Sequence, residues 1–159
     1  MSSDSEITHQ EYQALAKFRY QLRRFLRFSE QAAREVGLEP QQHQLLLTIE
    51  GLPADRMASV GELAERLQIQ HHSTVELINR MVERRLLERN RDENDQRRVL
   101  VSLTAYGDEV LRKLSLLHRM ELRTTGPALA QALHALTNGQ DDNSTNEAKA
   151  ADTSSDATN

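Results

Sequence analysis

The sequence predicts a mainly α-helical protein with one small β-hairpin wing: a winged helix-turn-helix domain flanked by N- and C-terminal helices. Three observations predict it. Leu15, Phe18, Leu22, Phe25, Ser29, Ala32 and Val36 follow one another at alternating steps of three and four, the seam of a long helix. From Ser59 onward a short helical pattern, a three-residue break and a second helical pattern succeed each other. After Leu87 the period changes to two strand-like runs around a highly polar stretch.

Each element has its own justification. Residues 6–36 contain no Gly or Pro, and Gly37 stands where a helix leaves its axis. A helix of that length spans about 46 Å at 1.5 Å per residue, more than a small domain needs. It also holds Tyr12, Phe18, Tyr20, Phe25 and Phe28, five of the six aromatic residues, so part of it is expected to pack on a second subunit. Pro40 opens a helix over 40–52 with Leu45, Leu46, Ile49 and Leu52 inward, and Pro53 stops it. Ser59 and Glu62 fit a capping box for a short helix carrying Leu63, Ala64 and Leu67. Gln68-Ile69-Gln70 is the break. The next helix covers 71–85, with Thr74, Ile78, Met81 and Val82 inward and His72, Ser73, Glu76, Asn79, Arg80 and Glu83 outward. Leu87-Glu88-Arg89 and Val99 to Leu103 form the hairpin, with residues 90–98 as its charged tip. Thr104 caps a helix over 105–124, with Val110, Leu111, Leu114, Leu117 and His118 inward. Gly126-Pro127 is expected to break it before a last helix, 127–137, with Leu129, Leu133 and Leu136.

Charge first argues against a nucleic-acid partner. The 159 residues carry a formal −4, whereas a DNA-binding domain usually leaves a basic footprint. The distribution removes the objection. Residues 139–159 hold five acids and one base, so residues 1–138 balance at zero. That terminal segment has only Ala among its apolar residues and is expected to be a disordered acidic tail. The absence of Cys excludes disulfides, thiolate metal sites and a cysteine nucleophile. No apolar run approaches the roughly 18 residues of a membrane span, and the polar, acidic start is not a secretory signal, so the expected compartment is the cytoplasm. No phosphate loop, dinucleotide fingerprint, metal-ligand spacing or nucleophile elbow is present, so neither an enzyme nor a cofactor is expected.

The element order, read with particular residues, resembles the MarR family of bacterial winged helix-turn-helix regulators. The resemblance rests on residues 60–107: Leu63, Ala64 and Leu67 in the first motif helix, Ser73-Thr74-Val75 in the second, Asp95-x-Arg97 in the wing, and Leu103-Thr104-x-x-Gly107 after it. Three positions depart from the family pattern. Arg85 stands where a Gly usually precedes the first wing strand, Glu76 where many members are basic, and Gln70 where many have a Ser or Thr cap. The division expected is a disordered lead-in at 1–5, an N-terminal dimerisation helix at 6–39, the DNA-binding domain at 40–104, C-terminal dimerisation helices at 105–138, and the tail at 139–159.

What this resemblance implies is a homodimeric, sequence-specific regulator of transcription, a repressor relieved by a small-molecule effector, acting on a pseudo-palindromic site in double-stranded DNA. The alternative is a winged-helix module that binds protein and no DNA. An α-helix fits the major groove, where its N-terminal residues reach base edges. That selects His71, His72, Ser73, Thr74, Glu76 and Arg80. Arg97 and Arg98 at the hairpin tip suit a narrow, electronegative minor groove. By resemblance, Asp95 orients the wing arginine. Resemblance and spacing together also suggest Phe18, Arg23, His43 and Leu46 as lining for a small phenolic or anionic effector. The bland readings are a solvated face for the arginines, a His71-His72 metal half-site, and plain core packing for the pocket residues.

Overall fold

The computed structural model describes residues 6–137; the lead-in at 1–5 and the acidic tail lie outside the described residues. Among the described residues there are five helices and one antiparallel strand pair. In order they are α1 (His9–Glu35), α2 (Pro40–Glu50), α3 (Val60–Leu67), α4 (His71–Glu83), β1 (Leu87–Arg91), β2 (Val99–Leu103) and α5 (Ala105–Thr137). The chain divides into two compact units. Residues 27–120 form one, and the other contains the described residues up to 26 and from 121.

Unit 27–120 has the apolar core. Leu38, Leu45, Leu46, Leu63, Ile78, Met81, Leu86, Leu87 and Leu114 are essentially inaccessible there. Six of them come from the spacings that mark one face of a helix, and Leu38, Leu86 and Leu87 join them from the connecting turns and β1. The exceptions to the inward set expected for α2, α4 and α5 in this unit are Leu117, which is exposed, and Leu52, Val82 and His118, which are half-buried.

Three helices of this unit end alike. At the end of α1 the Gly37 N–H donates to Arg34 O and the Leu38 N–H to Ala33 O. At α3 the Gln68 N–H donates to Glu65 O and the Ile69 N–H to Ala64 O. At α4 the Arg85 N–H donates to Val82 O and the Leu86 N–H to Met81 O. This paired pattern requires a left-handed residue at its hinge, with φ of 78° at Gly37, 56° at Gln68 and 59° at Arg85. One expectation changes as a result. The α4 helix stops at Glu83 and not at residue 85, because Arg85 leaves the helical region to turn the chain into β1. Arg85 thus adopts the very conformation for which a glycine is the unstrained choice.

Pro127 does not break the C-terminal helix. A single α5 runs through it. Proline removes one backbone hydrogen bond, but its usual clash with the preceding residue involves that residue's Cβ, and Gly126 has none. Thr125 Oγ1 adds a bond to Glu121 O across the same turn, at 2.9 Å.

The wing pairs Leu87 with Leu103 through to Arg91 with Val99. It is also stitched to the chain before α3. The Val101 N–H donates to Ala58 O at 3.0 Å, and Ser59 bridges to Leu100. Ser59 Oγ accepts from the Glu62 N–H, as a helix cap should. The expected reciprocal half of that box is replaced: the Glu62 carboxylate takes Arg66 at 2.7 Å and Arg56 at 3.5 Å.

The motif Leu103-Thr104-x-x-Gly107 joins the wing to α5. The Thr104 N–H donates to Leu86 O at 3.1 Å, and its hydroxyl donates to Arg85 O at 2.6 Å. The same hydroxyl oxygen accepts from the Gly107 N–H at 3.0 Å. A Cβ on Gly107 would lie 2.1 Å from Leu86 O, so the motif needs glycine there for the backbones to approach.

Candidate nucleic-acid interface

The candidate interface lies within unit 27–120, on the outward face of α4 and on the wing. His71, His72, Glu76, Asn79, Arg80 and Glu83 are exposed, and Ser73 is half-buried. The outward set follows from the inward one. Thr74, Leu77, Ile78 and Met81 are buried, so the opposite side of the helix must carry the polar residues. Thr74 leaves the DNA-facing set: it is fully buried and its hydroxyl donates to Gln70 O, since its spacing from Ile78 puts it on the core side.

Gln70 occupies the cap position of α4 without a side-chain cap bond, so the first amide groups of α4 are not answered by the residue before them. Glu76 faces Arg80 one turn on, at 3.8 Å with both side chains well exposed. A pair so exposed adds little to stability. Its effect is to set a carboxylate and a guanidinium side by side on the helix surface. An Arg89 Nη of β1 donates to Asn79 Oδ1, tying the wing to the middle of α4.

At the hairpin tip, Arg97 is exposed, and its backbone N–H donates to Asp95 Oδ1 at 3.0 Å. Asp95 therefore fixes the main chain under Arg97 and does not grip a guanidinium. The carboxylate that meets an arginine side chain is Asp92, which sequence reasoning did not select. It is only 4% exposed, and Arg98 Nη1 is 3.8 Å from it. The signal was present in the hairpin register: with Arg91 paired to Val99, residues 92 and 98 are the next across.

The four effector-pocket candidates divide between the units. Phe18, half-buried, and Arg23, exposed, belong to one; His43 and Leu46 belong to the other. Leu46 is wholly enclosed in the core. What the structure gathers around His43 is a different group. The His43 and His118 rings lie 4.8 Å apart, and Phe28 meets His118 edge-on at 5.6 Å. His118 Nδ1 lies 2.6 Å from Leu114 O and donates to it, and Nε2 lies 2.7 Å from the Ser29 hydroxyl. Burial pushes the His43 pKa down to about 4, and the charge of His118 acts in the same direction. Among the described residues no three His, Asp or Glu side chains are placed to hold a metal ion, and no helix is long and apolar enough to cross a membrane.

Comparison with known proteins follows the same lines. Residues 36–98 match the model of the MarR family. No protein of curated function matches the chain. Among solved structures, it is similar to AbsC, a MarR family transcriptional regulator from Streptomyces coelicolor, at 22% identity and a TM-score of 0.66, with 91% of this chain and 98% of that one covered. It is similar to MepR, a transcription regulator of the Staphylococcus aureus multidrug efflux pump MepA, at 17% identity and a TM-score of 0.63, covering 91% and 94%. A MepR mutant from S. aureus bound to an oligodeoxyribonucleotide aligns at 20% identity and a TM-score of 0.57, again covering 91% and 94%. Residues 36–98, which span α2 to the wing tip, match the MarR family model, and the chain shares the winged-helix fold of these solved structures.

Proposed function

We propose that this protein is a homodimeric, sequence-specific DNA-binding regulator of transcription, a repressor that a small phenolic or anionic effector releases from a pseudo-palindromic operator. The observation that carries the reading is the pairing, in one unit, of an exposed polar face on α4 with an exposed arginine at the wing tip. These are the two elements that major and minor grooves accept. Support for a dimer comes from the other unit, where Ile7, Tyr12, Leu15, Tyr20, Leu122 and Leu133 are exposed, more large apolar side chains than a solvated pair of helices would carry. The MepR mutant complex with an oligodeoxyribonucleotide supports the groove assignment by analogy of fold. The reading places the protein in the cytoplasm, where such DNA lies.

The test is binding-site selection from random duplexes. The expected result is a site with dyad symmetry and half-sites about 10 base pairs apart, one helical turn. A selected site without symmetry overturns the dimer, and no enrichment at low salt overturns DNA binding in favour of a protein partner. The effector requires unequal affinity for two conformations. A thermal-shift screen should therefore find a small anion or phenol that also lowers DNA affinity, and binders without that second effect would refute release.

A further inference from the structure

The wing tip presents two adjacent arginines in unlike settings. Among the described residues the Arg97 guanidinium has no hydrogen-bond or ion-pair partner, and only its backbone is fixed, by Asp95. Arg98 turns back. Its Nη1 lies 3.8 Å from Asp92 Oδ2 and 3.8 Å from the sulfur of Met57, in the segment that precedes α3. The backbones of the same two residues are joined by the Asp92 N–H donating to Arg98 O at 3.0 Å. The other Asp92 oxygen accepts from the Asn94 N–H at 2.9 Å.

Burying a carboxylate this far is costly without a cation and N–H donors around it. Arg98 is the cation it has. Swinging Arg98 outward to a phosphate would exchange one ion pair for another and leave a buried, unpaired charge behind, an exchange that does not favour DNA. Arg97 has no such attachment.

We propose that Asp92 is a positioning residue that withdraws Arg98 from the DNA, so that of the two adjacent tip arginines each wing offers Arg97 to the groove. The proposal rests on the DNA-binding reading above and departs from the assignment of Arg98 as a contact.

The experiment measures how affinity for the selected duplex depends on salt, using the full chain and the variants Arg97→Ala, Arg98→Ala, Asp92→Asn and Asp92→Asn with Arg98→Ala. Each arginine that neutralises a phosphate contributes about 0.9 to the slope of log K against log salt. Arg97→Ala should lower the slope by about that amount per wing engaged, and Arg98→Ala should leave it unchanged. Asp92→Asn removes the charge that holds Arg98 while keeping the acceptor for Asn94, so the slope should rise by a similar step. The double variant should return it to the original value. A purely structural role for Asp92 would change affinity without this reversible change in slope. A fall in slope with Arg98→Ala alone, or an Asp92→Asn slope equal to that of the unaltered protein, overturns the proposal while leaving DNA binding intact. If the unaltered protein binds no duplex, the DNA-binding reading fails and the proposal with it.

Discussion

Replacing Gly107 by Ala tests whether the wing and α5 are joined as tightly as the backbone geometry says. The added Cβ would lie 2.1 Å from Leu86 O, about 1.3 Å inside ordinary contact. Neither side can yield freely. Leu86 is buried, its N–H donates to Met81 O, and its oxygen accepts from Thr104. Gly107 itself donates to the Thr104 hydroxyl, which in turn donates to Arg85 O. Relief therefore means lifting the first turn of α5 and losing about two of these bonds. Overpacking costs about 1–3 kcal/mol and each lost bond about 0.5–1.5 kcal/mol, so a loss of about 3 kcal/mol is expected. In urea that lowers the midpoint by roughly 1.5 M at a typical slope for a chain of this size. The assay is urea unfolding at fixed protomer concentration, since any dimer makes stability concentration-dependent. Gly61→Ala is the control: a Cβ there meets nothing within 4 Å, and alanine in a helix should add about 0.5–1 kcal/mol. A Gly107→Ala protein within about 0.5 kcal/mol of the original would refute the close approach.

Arg85→Gly should stabilise by about 0.5 kcal/mol, because release from a left-handed φ of 59°, which costs a side chain about 1 kcal/mol, exceeds the entropy that glycine adds to the unfolded chain; a loss in the same urea assay would show that the Arg85 side chain does something its backbone does not. His43 is neutral in folded and unfolded chains above its ordinary pKa of about 6.5, while between there and about 4 only the unfolded chain takes up the proton. Stability should thus fall by up to about 3 kcal/mol across that window as pH drops; urea midpoints of the original protein and of His43→Leu that run parallel from pH 7 to 4 would contradict it. Deleting residues 139–159 removes a net −4 and should raise non-specific DNA affinity at low salt, read by a shift assay on a random duplex; unchanged affinity would leave the segment without an electrostatic role.

The helices and their inner faces were legible in the sequence because periodicity depends on burial alone, and burial in unit 27–120 is decided by each stripe meeting the others. Three features were not. Pro127 reads as a breaker, yet α5 continues through it, with Gly126 adding no Cβ to the crowding before the ring. Arg85 departs from a family glycine, yet a departure does not say whether the backbone or the residue gives way; here the residue does. Asp92 was passed over because the Asp95-x-Arg97 pattern draws attention to the nearer carboxylate, while the pairing of residue 92 with residue 98 depends on strand register across the hairpin. Thr74 shows the opposite error. It sits next to the outward residues in sequence, but the helix turns it inward.

Arg84 closes α4, and its guanidinium reaches across to the α1–α2 turn, donating to Gly37 O at 2.7 Å and to Gln42 Oε1 at 2.8 Å. Gln42 Oε1 is at the same time the acceptor for the Glu39 N–H that starts α2. One side-chain oxygen thus serves as a shared hinge pin for the helix proposed to read DNA and for the helix before the motif. Tilting α4 about its first turn would have to break both arginine bonds, roughly 1 kcal/mol each at a half-exposed site. A push at residues 36–39 is in that sense a lever on the far end of α4, with Arg84 as the connecting rod.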